Sequence, residues 1–149
     1  MNYPPLNMHF VVKFKHKEFS KDIHFQSVNG LKASICKTEE SKLEKVHFEN
    51  LVLKRAYEPD SRLIGWCMNR INNHKTQAVN LVISLLNSEH KMLSGWIIEK
   101  AIPVSWSVEE LHAQETRILI ERIELEYKFF EVLNSQGEII APKEKKRIR

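Results

Sequence analysis

The chain has 149 residues, of which 42% are hydrophobic and 28% charged, and it contains two cysteines. This length suits one domain with a single core, and the composition is that of an ordinary soluble globular protein. No apolar run approaches the roughly 18 residues that a transmembrane helix needs, and the N-terminus lacks the charged-then-apolar pattern of a signal peptide. We therefore expect a protein that is made in the cytosol, without membrane insertion. Cys36 and Cys67 are expected to be buried free thiols, because they are isolated and far apart in the sequence.

The net charge of +4 and the pI of 9.1 come from the C-terminus. Five basic residues and one acidic residue lie among the last seven positions, so the remainder of the chain has no net charge. The five are Lys143, Lys145, Lys146, Arg147 and Arg149. We predict a single domain over residues 1–141 and a basic tail over residues 142–149, which is either a solvated terminus or a contact for nucleic acid or an acidic partner.

The first third of the chain carries the alternating pattern of β-strands. Apolar side chains at every second position from Met8 to Phe14 predict a first strand with one buried face. A second strand is expected over residues 23–36, and Gly30 within it indicates a bulge or kink. The polar residues 37–45 predict a connecting loop, and residues 48–55 a third strand.

One amphipathic helix is expected in the middle of the chain. Apolar residues recur at helical spacing from Leu63 to Ile71, and Asp60 or Ser61 is placed to cap the N-terminus. The polar residues 72–74 end this helix. A strand follows over residues 78–86, where every second residue is apolar.

Two further elements are predicted before the final strand. Residues 96–102 form a strand that ends at Pro103, because proline has no N–H to donate to a neighbouring strand. Ser107 and Glu110 match a capping box, in which each side chain accepts a hydrogen bond from the other residue's backbone N–H. This pattern predicts a short second helix through about Gln114.

The last strand is predicted over residues 116–130, and its second half alternates apolar and charged residues without exception. One face is therefore buried and the other is wet. The wet face consists of Arg122, Glu124, Glu126 and Lys128. Two cations and two anions suit a surface or the wall of a water-filled channel better than the mostly apolar pocket that a small molecule requires.

The start of this strand is out of phase with its end. Ile118 and Ile120 alternate on even positions, whereas the later apolar residues are odd-numbered. Because a slip of one residue reverses every later side chain, we predict either a β-bulge near Glu121-Arg122 or burial of both faces at the start.

Residue types that carry catalysis or bind cofactors form no recognisable pattern. The seven histidines and two cysteines show no H-E-x-x-H or C-x-x-C spacing. With four glycines, the chain has little material for a phosphate-binding loop, and no nucleophile-elbow motif is present. We predict no catalytic residue, no cofactor and no metal, and so a protein that is not an enzyme.

These elements predict a mainly β fold: a β-sandwich or barrel of about six strands, with one flanking α-helix and a short second helix. The residues expected in the core lie on apolar strand or helix faces or are large aromatics. They are Phe10, Phe14, Leu53, Trp66, Trp106, Ile123, Leu125 and Tyr127.

Six segments occur in a characteristic order: F-V-V-K-F, F-Q-S-V-N-G-L, N-L-V-L-K-R-A, L-I-G-W, W-I-I-E-K-A-I-P-V-S-W and I-L-I-E-R-I-E-L-E-Y-K-F-F. In this order and spacing the chain resembles the tail tube protein family of contractile phage tails and bacterial contractile injection systems, over about residues 8–134. The matching positions are Phe10, Gly30-Leu31, Leu53-Lys54-Arg55, Trp66, Ala101, Pro103, Trp106, Glu121 and Ile123-Glu124-Leu125.

The resemblance implies a structural subunit that forms hexameric rings, which stack into a hollow tube inside a sheath. It implies other copies of the chain and neighbouring tube, baseplate or sheath proteins as partners, no small-molecule substrate, and nucleic acid only as possible cargo. In such a tube the charged face from Arg122 to Lys128 is predicted to face the lumen. The alternative function is a small β-barrel binding module that contacts nucleic acid or an acidic partner through its basic tail.

One segment departs from the family pattern. Members usually carry a longer, glycine-containing loop with a proline before the L-K-R strand, and this loop packs against the adjacent ring. Here the segment is shorter and has neither residue type. The residues predicted for contacts between rings are Lys37, Thr38, Glu39, Glu40, Ser41, Lys42, Leu43, Glu44 and Lys45. The departure favours a variant subunit at the baseplate end, where the tube is initiated.

Overall fold

The computed structural model describes residues 8–19, 23–40, 42–114 and 116–144. This part of the chain contains one helix and nine strands, which confirms the predicted mainly β fold. The elements are β1 His9–Phe14, β2 Ser27–Asn29, β3 Ala33–Lys37, β4 Glu44–Phe48, β5 Leu51–Ala56, α1 Arg62–Asn73, β6 Val79–Leu86, β7 Met92–Val108, β8 Ile120–Glu126 and β9 Phe129–Leu133.

The 17-residue strand β7 belongs to two antiparallel sheets. Its first half pairs with β6 and β9 and, through β6, with β1; we call these four strands sheet A. Its second half pairs with β8, which pairs with β5 and then β2; we call these strands sheet B. A left-handed residue, Lys100 with φ 58°, and a register shift between Pro103 and Ser105 lie where β7 passes from one sheet to the other. Such irregularities allow one strand to serve both layers of a sandwich.

The inner faces of both sheets and one face of α1 share a single hydrophobic core. Of the residues expected there, Phe14, Leu53, Ile123 and Leu125 are fully buried and Trp66 is nearly so. Phe10, Trp106 and Tyr127 are half-buried and pack against the same core. The alternation of apolar residues along each strand therefore places this core between the layers.

Helix α1 has the ends that the sequence predicts. The Ser61 hydroxyl accepts a hydrogen bond from the Leu63 N–H at 3.2 Å, so Ser61 is the N-cap. At the C-terminus His74 adopts φ 54°, and its N–H donates to the Arg70 carbonyl at 3.1 Å. The prediction of this helix is confirmed.

The predicted second helix is wrong. Ser107 and Val108 are the last residues of β7, opposite Arg122 and Glu121, and residues 109–114 contain no helix. Pairing with β8 supplies the backbone hydrogen bonds that a capping box would have supplied locally, so tertiary structure overrides the local signal. Pro103 does not end its strand either, because a register shift beside it accommodates the backbone N–H that proline lacks.

The final strand is two strands. β8 ends at Glu126, and the chain bends at Tyr127-Lys128 before β9. Residues 116–119 precede β8, so Ile118 is not in a strand. Ile120 begins β8 on the face opposite Ile123 and is half-buried there, so the apolar residues are divided between the two faces without a bulge. The predicted bulge at Glu121-Arg122 is wrong, because both residues keep an unbroken register with β5 and with β7.

Strands β2 to β5 form one kinked ribbon. Asn29 of β2 faces Val52 of β5, and Ala33 of β3 faces Phe48 of β4. Each partner is four residues away from the earlier one along its own strand, so the register is the same on both sides of the kink. Gly30 has φ 100°, which confirms the kink predicted there. The predicted loop at residues 37–45 is partly strand, because Lys37 ends β3 and Glu44 begins β4. We call the β3–β4 hairpin, residues 33–48, the arm.

The arm also corrects the environment of one cysteine. Cys36 lies in β3 and is exposed, whereas Cys67 in α1 is buried as expected. The arm pairs only within itself among the described strands, and beyond Phe48 at its base, which packs against Tyr127 and Phe130, its large apolar side chains are exposed. Cys36 is therefore accessible in a single subunit.

Candidate functional site

The outer face of sheet B is polar. In each strand the residues that alternate with the core residues point outward, and register pairing places them side by side. This face, which we call the polar face, comprises Ser27 and Asn29, Val52 and Lys54, Arg122, Glu124 and Glu126, and Ser105 and Ser107. The same register places the apolar Ala56, Ile102 and Ile120 at the ends of this face, so its polar and charged side chains occupy the middle of sheet B and give that part the composition of a hydrated wall.

Charges of both signs on the polar face are paired locally. The Lys54 ammonium lies 2.9 Å from Glu109, and the Arg122 guanidinium lies 3.4 Å from Glu124. The Asn50 amide also donates to Glu124 at 3.0 Å. Each exposed ion pair of this kind contributes only about 0–1 kcal/mol. Their effect is to keep the surface hydrated without a strong field of one sign.

Three of the four residues predicted to face a lumen are together on this surface. Arg122, Glu124 and Glu126 lie on β8, where the first two are half-buried and the third is exposed. Lys128 follows in the bend before β9, and its N–H donates to the Glu99 carbonyl at 3.0 Å. It is exposed but not part of the β8 surface.

A buried ion pair lies directly beneath the polar face. Glu121 and Arg55 are almost completely buried, and the Arg55 Nε donates to Glu121 Oε1 at 2.5 Å. The Trp106 indole N–H donates to the other carboxylate oxygen at 2.6 Å, and an Arg55 Nη donates to the Ser61 hydroxyl at 2.9 Å. The pair thus joins β5, β7 and β8 to the N-terminus of α1.

Sequence analysis missed this pair, although a signal was present. Arg55 has the same parity as the buried Leu51 and Leu53, and Glu121 has the same parity as Ile123. Strand alternation alone therefore puts a cation and an anion on the inner face of neighbouring strands. A buried charge needs a partner, so the two would have been predicted to meet.

The same environment affects Cys67. The pKa of its thiol is raised to about 12, mainly by burial and secondly by the nearby Glu121 carboxylate, whose effect exceeds the opposite effect of the Arg55 cation. The thiolate is the reactive form of cysteine. Cys67 is therefore a packing residue of α1.

Sheet B has an unpaired strand at each end within the described residues. β2 pairs only with β5, and residues 102–108 of β7 pair only with β8. The end strands of sheet A are partly covered instead: the Ile140 N–H donates to the Val132 carbonyl at 2.8 Å along β9, and the Ile23 N–H donates to the Val12 carbonyl at 2.9 Å along β1. Open edges are sites at which another chain can add a strand.

The arm exposes large apolar side chains. Ile35 and Val46 face each other across its two strands and are 65% and 63% exposed, and Leu43 in the turn is 68% exposed. Of the residues predicted for contacts between rings, Lys37, Glu44 and Lys45 lie in its strands, and Thr38, Glu39, Glu40, Lys42 and Leu43 in the turn. Ser41 lies outside the described residues.

The basic tail is described only at its start. The Lys143 ammonium lies 4.4 Å from the centre of the Phe129 ring, a cation–π distance. Lys145, Lys146, Arg147 and Arg149 lie outside the described residues. Over the described ranges, no three His, Cys, Asp or Glu side chains form a group that could hold a metal ion. No helix in those ranges is long and apolar enough to cross a membrane.

Comparison with known proteins gives consistent matches. A family model described as "T4-like virus tail tube protein gp19" matches residues 6–131. A chain in the cryo-EM structure of the anti-feeding prophage (AFP) baseplate, 6-fold symmetrised, is 28% identical with a TM-score of 0.73, over 91% of this chain and 99% of that chain. No curated protein matches the chain significantly.

Two further structures share the fold at lower identity. One is a chain of the PVC sheath-tube complex in the extended state, an extracellular contractile injection system, at 22% identity and a TM-score of 0.68, over 89% of this chain and 93% of that chain. The other is Hcp1 from Salmonella typhimurium, at 15% identity and a TM-score of 0.62, over 91% of this chain and 92% of that chain. Both chains are covered almost completely, so the likeness extends over the whole described fold.

Proposed function

The chain belongs to the T4-like virus tail tube protein gp19 family, and we propose that it closes into hexameric rings whose lumen is lined by sheet B. The family resemblance predicted from the sequence is confirmed, and the protein is a structural subunit of the tube of a contractile tail or injection system. We propose that it is not an enzyme, and that residues 1–141 form one tube domain with residues 142–149 as its tail.

One observation carries the ring proposal: the polar face is bounded by two open strand edges. If β2 of one copy pairs with residues 102–108 of β7 in the next, each copy adds four strands to a continuous sheet. A head-to-tail contact of this kind closes into a ring when the rotation per copy matches. The six-fold symmetry of the AFP baseplate assembly supports six copies.

Ring closure places the polar face on one side of the joined sheet and the core on the other. In a barrel built this way, residues that face the interior alternate with residues that face the exterior along every strand. We assign Arg122, Glu124 and Glu126 to the lumen, with Lys128 at its border. Because these charges are mixed in sign and partly paired, the wall stays hydrated and holds no cargo tightly. Cargo, including any nucleic acid, then passes through the lumen without being bound.

We further propose that the subunit occupies a ring near the baseplate. The 28% identical relative is a chain of a baseplate structure, whereas the 22% identical relative is from a sheath-tube complex. The short arm, without glycine or proline, is consistent with a specialised position. Neighbouring tube, baseplate and sheath proteins are then its partners, and the subunit assembles in the cytoplasm before the particle is complete.

Disulfide trapping tests the ring contact. In a Cys36→Ser background, Ser27→Cys on β2 is combined with Ser105→Cys or with Ser107→Cys on β7, because the register between copies decides which pair comes within bonding distance. After oxidation, a denaturing gel is expected to show a ladder of linked subunits that stops at six. Ser27→Cys combined with Ser84→Cys in sheet A is the matched control and should give no ladder.

A tube initiator can require its partners in order to assemble, so the experiment is run on the purified chain and on the chain co-expressed with the other tube proteins. Negative-stain images of the same samples should show rings about as wide as those of tail tubes. A chain that stays monomeric and unlinked in both samples would contradict the ring proposal.

A further inference from the structure

We infer that His9 and His90 together bind one divalent transition-metal ion, of the class of Cu²⁺ and Zn²⁺, at the end of sheet A where the β6–β7 turn meets β1. The β6–β7 turn is residues 87–91. The proposed ring contact uses β2 and residues 102–108 of β7 instead, so the metal site and the ring can be tested separately.

The fold brings together two imidazoles that are 81 positions apart in the sequence. His9 begins β1 and pairs with Leu86, the last residue of β6, so it lies next to the turn that follows. Its Nε2 atom lies 2.9 Å from Nδ1 of His90, and the ring centres are 4.8 Å apart at an interplanar angle of 78°. Sequence motifs for metal sites depend on ligands that are close together in the chain, so this pair could not be predicted from spacing.

Hydrogen bonds within the β6–β7 turn fix the backbone from which the His90 side chain extends. The Asn87 side chain accepts from the N–H groups of Glu89 and Lys91 at 2.9 and 3.0 Å. The His90 N–H donates to the Asn87 carbonyl at 3.0 Å. His90 is left-handed, with φ 63°, a conformation in which histidine, asparagine and aspartate are enriched. The His90 ring therefore extends from a defined position beside β1.

The distance between the two nitrogens suits a shared metal ion. Imidazole nitrogen binds Zn²⁺ at about 2.0–2.1 Å, so two such ligands lie about 2.9 Å apart at a right angle and about 3.3 Å apart at the tetrahedral angle. In the hydrogen bond, one ring donates its N–H to the lone pair of the other. When that proton moves to the other nitrogen of its ring, both lone pairs can point at one ion. The His90 ring is exposed, so only a small rotation is needed.

Two protein ligands determine the kind of site. A structural zinc ion has four protein ligands, and over the described ranges no third His, Cys, Asp or Glu completes such a group here. The bound ion therefore keeps water at its other positions and exchanges with the solution. Among the divalent first-row ions Cu²⁺ binds nitrogen ligands most strongly, so we expect it to bind most tightly.

The charges near the pair are few and balanced. Glu89 and Lys91 of the turn form an exposed ion pair at 3.7 Å, so they offset each other. Lys13 is the other charged residue of β1 and lies four positions from His9, and β6 carries no charged residue. The neighbouring charges therefore neither repel a cation strongly nor attract one by themselves. Affinity is expected to come from the two imidazoles, which are the commonest metal ligands in proteins.

A metal ion at this position would join the β6–β7 turn to the edge strand β1. A ligand that binds the folded chain more tightly than the unfolded chain stabilises the fold. The unfolded chain keeps both imidazoles but no longer holds them side by side, so it binds the ion more weakly. Added Cu²⁺ is therefore expected to stabilise the chain, and to do so through His9 and His90.

Calorimetric titration of the purified chain with CuCl₂ tests the site. A Cys36→Ser background is used, because an exposed thiol also binds copper. One ion per chain should bind in the tightest class. His9→Gln and His90→Asn should each weaken that class by about tenfold or more, since the loss of an outer partner of a ligand alone costs about 10–100-fold. Asparagine is chosen at position 90 because it tolerates the left-handed backbone.

His112→Gln is the matched control. The His112 imidazole lies 3.6 Å from the Glu110 carboxylate, so it is a histidine with one other potential ligand beside it. This variant should leave the tightest class of Cu²⁺ binding unchanged. Loss of that class in His112→Gln, with normal binding by His9→Gln and His90→Asn, would overturn the inference.

Electron paramagnetic resonance of the Cu²⁺ complex identifies the ligands directly. The wild type should show two imidazole nitrogens on the ion, and each single variant should show one. Cu²⁺ should also raise the Tm of the wild type and of His112→Gln more than it raises the Tm of His9→Gln or His90→Asn. The Tm values without Cu²⁺ establish that all the variants fold. Cu²⁺ affinity equal to that of the wild type in either His9→Gln or His90→Asn would show that the two imidazoles do not share an ion.

Discussion

The kinked ribbon from β2 to β5 has two halves that share one register and differ in burial. In the half nearer the core, Leu51 and Leu53 are completely buried, because β8 pairs alongside and the core lies beneath. In the arm, Ile35 and Val46 are equally apolar and mostly exposed. The difference shows that apolar alternation specifies a face to be covered, but not whether the covering layer comes from the same chain. The inner half is completed by its own fold, whereas the described part of the chain leaves the apolar side chains of the arm exposed.

The largest loss of stability in the inner half is expected when the Glu121 carboxylate beneath the polar face is removed. Glu121→Ala should lower the free energy of unfolding by about 3–5 kcal/mol, because the buried Arg55 guanidinium loses its buried partner and is left with the exposed Glu58 carboxylate at 3.4 Å. Urea denaturation followed by tryptophan fluorescence measures this. Glu124→Ala, on the outer face of the same strand, is the control and should cost about 1 kcal/mol or less. Equal losses of stability in the two variants would show that the buried ion pair contributes no more to stability than the exposed one.

A matched pair of truncations compares the two halves directly. Leu53→Ala should cost about 2–5 kcal/mol through lost burial and a residual cavity. Ile35→Ala should change the stability of the isolated subunit by less than about 0.5 kcal/mol, because its side chain is already in water. Because the family resemblance implies that the arm packs against the adjacent ring, the same Ile35→Ala variant should form shorter tubes. A large loss in the free subunit would mean that the arm is covered within one chain.

Sequence patterns predicted those parts of the fold that depend on local spacing. The helix was bounded correctly because Ser61 and His74 act on their own backbone neighbourhood. The alternation over Arg122, Glu124 and Glu126 gave the polar face, because alternation is a property of one strand. Family resemblance supplied the tube, which no single motif in the chain encodes.

What the sequence did not predict depends on contacts between distant segments. The capping box at Ser107 was overridden by pairing with Arg122 on β8. The bend at Tyr127 and Lys128 lies beside the left-handed Lys100 of β7, a relation that neither segment reveals alone. The cavity lined by Leu111, Ala113, Ile118 and Leu119 is formed by residues that have no regular structure, which periodicity cannot anticipate.

The joint between the two halves can be tested at Gly30. A Cβ at this position would lie 2.1 Å from the Asn50 carbonyl oxygen, and the backbone has φ 100°. Gly30→Ala should therefore cost about 1–3 kcal/mol and redirect the arm, which would reduce stacking.

Gly137 provides the matched control for backbone conformation alone. It has φ 78° and no atom within 4 Å of a built Cβ, so Gly137→Ala should cost about 1 kcal/mol and leave stacking intact. Urea denaturation and images of tubes measure both effects. Identical behaviour of the two alanine variants would show that the close approach to Asn50 does not set the direction of the arm.

The smallest expected effect concerns Tyr127, whose ring packs against Phe48 at the base of the arm with 6.0 Å between ring centres. Burial raises the pKa of its hydroxyl to about 12, and the Glu49 carboxylate contributes in the same direction. The unfolded chain loses this proton at about pH 10, so the folded state is favoured below that pH and loses stability as the pH rises from about 10 to 12. Tyr127→Phe should remove this alkaline loss, which solvent screening limits to about 1 kcal/mol.

At neutral pH the same substitution should be nearly neutral, because the Tyr127 hydroxyl is buried without a hydrogen-bond partner among the described residues. Removing an unsatisfied polar group costs little and can stabilise a protein by about 1 kcal/mol. Urea denaturation should therefore show that the variant is as stable as the wild type or slightly more stable at pH 7. At about pH 11 its advantage in stability should be larger. A variant that is less stable at pH 7 would indicate that the hydroxyl is hydrogen-bonded in solution, and the base of the arm would then be held by a polar contact as well as by aromatic packing.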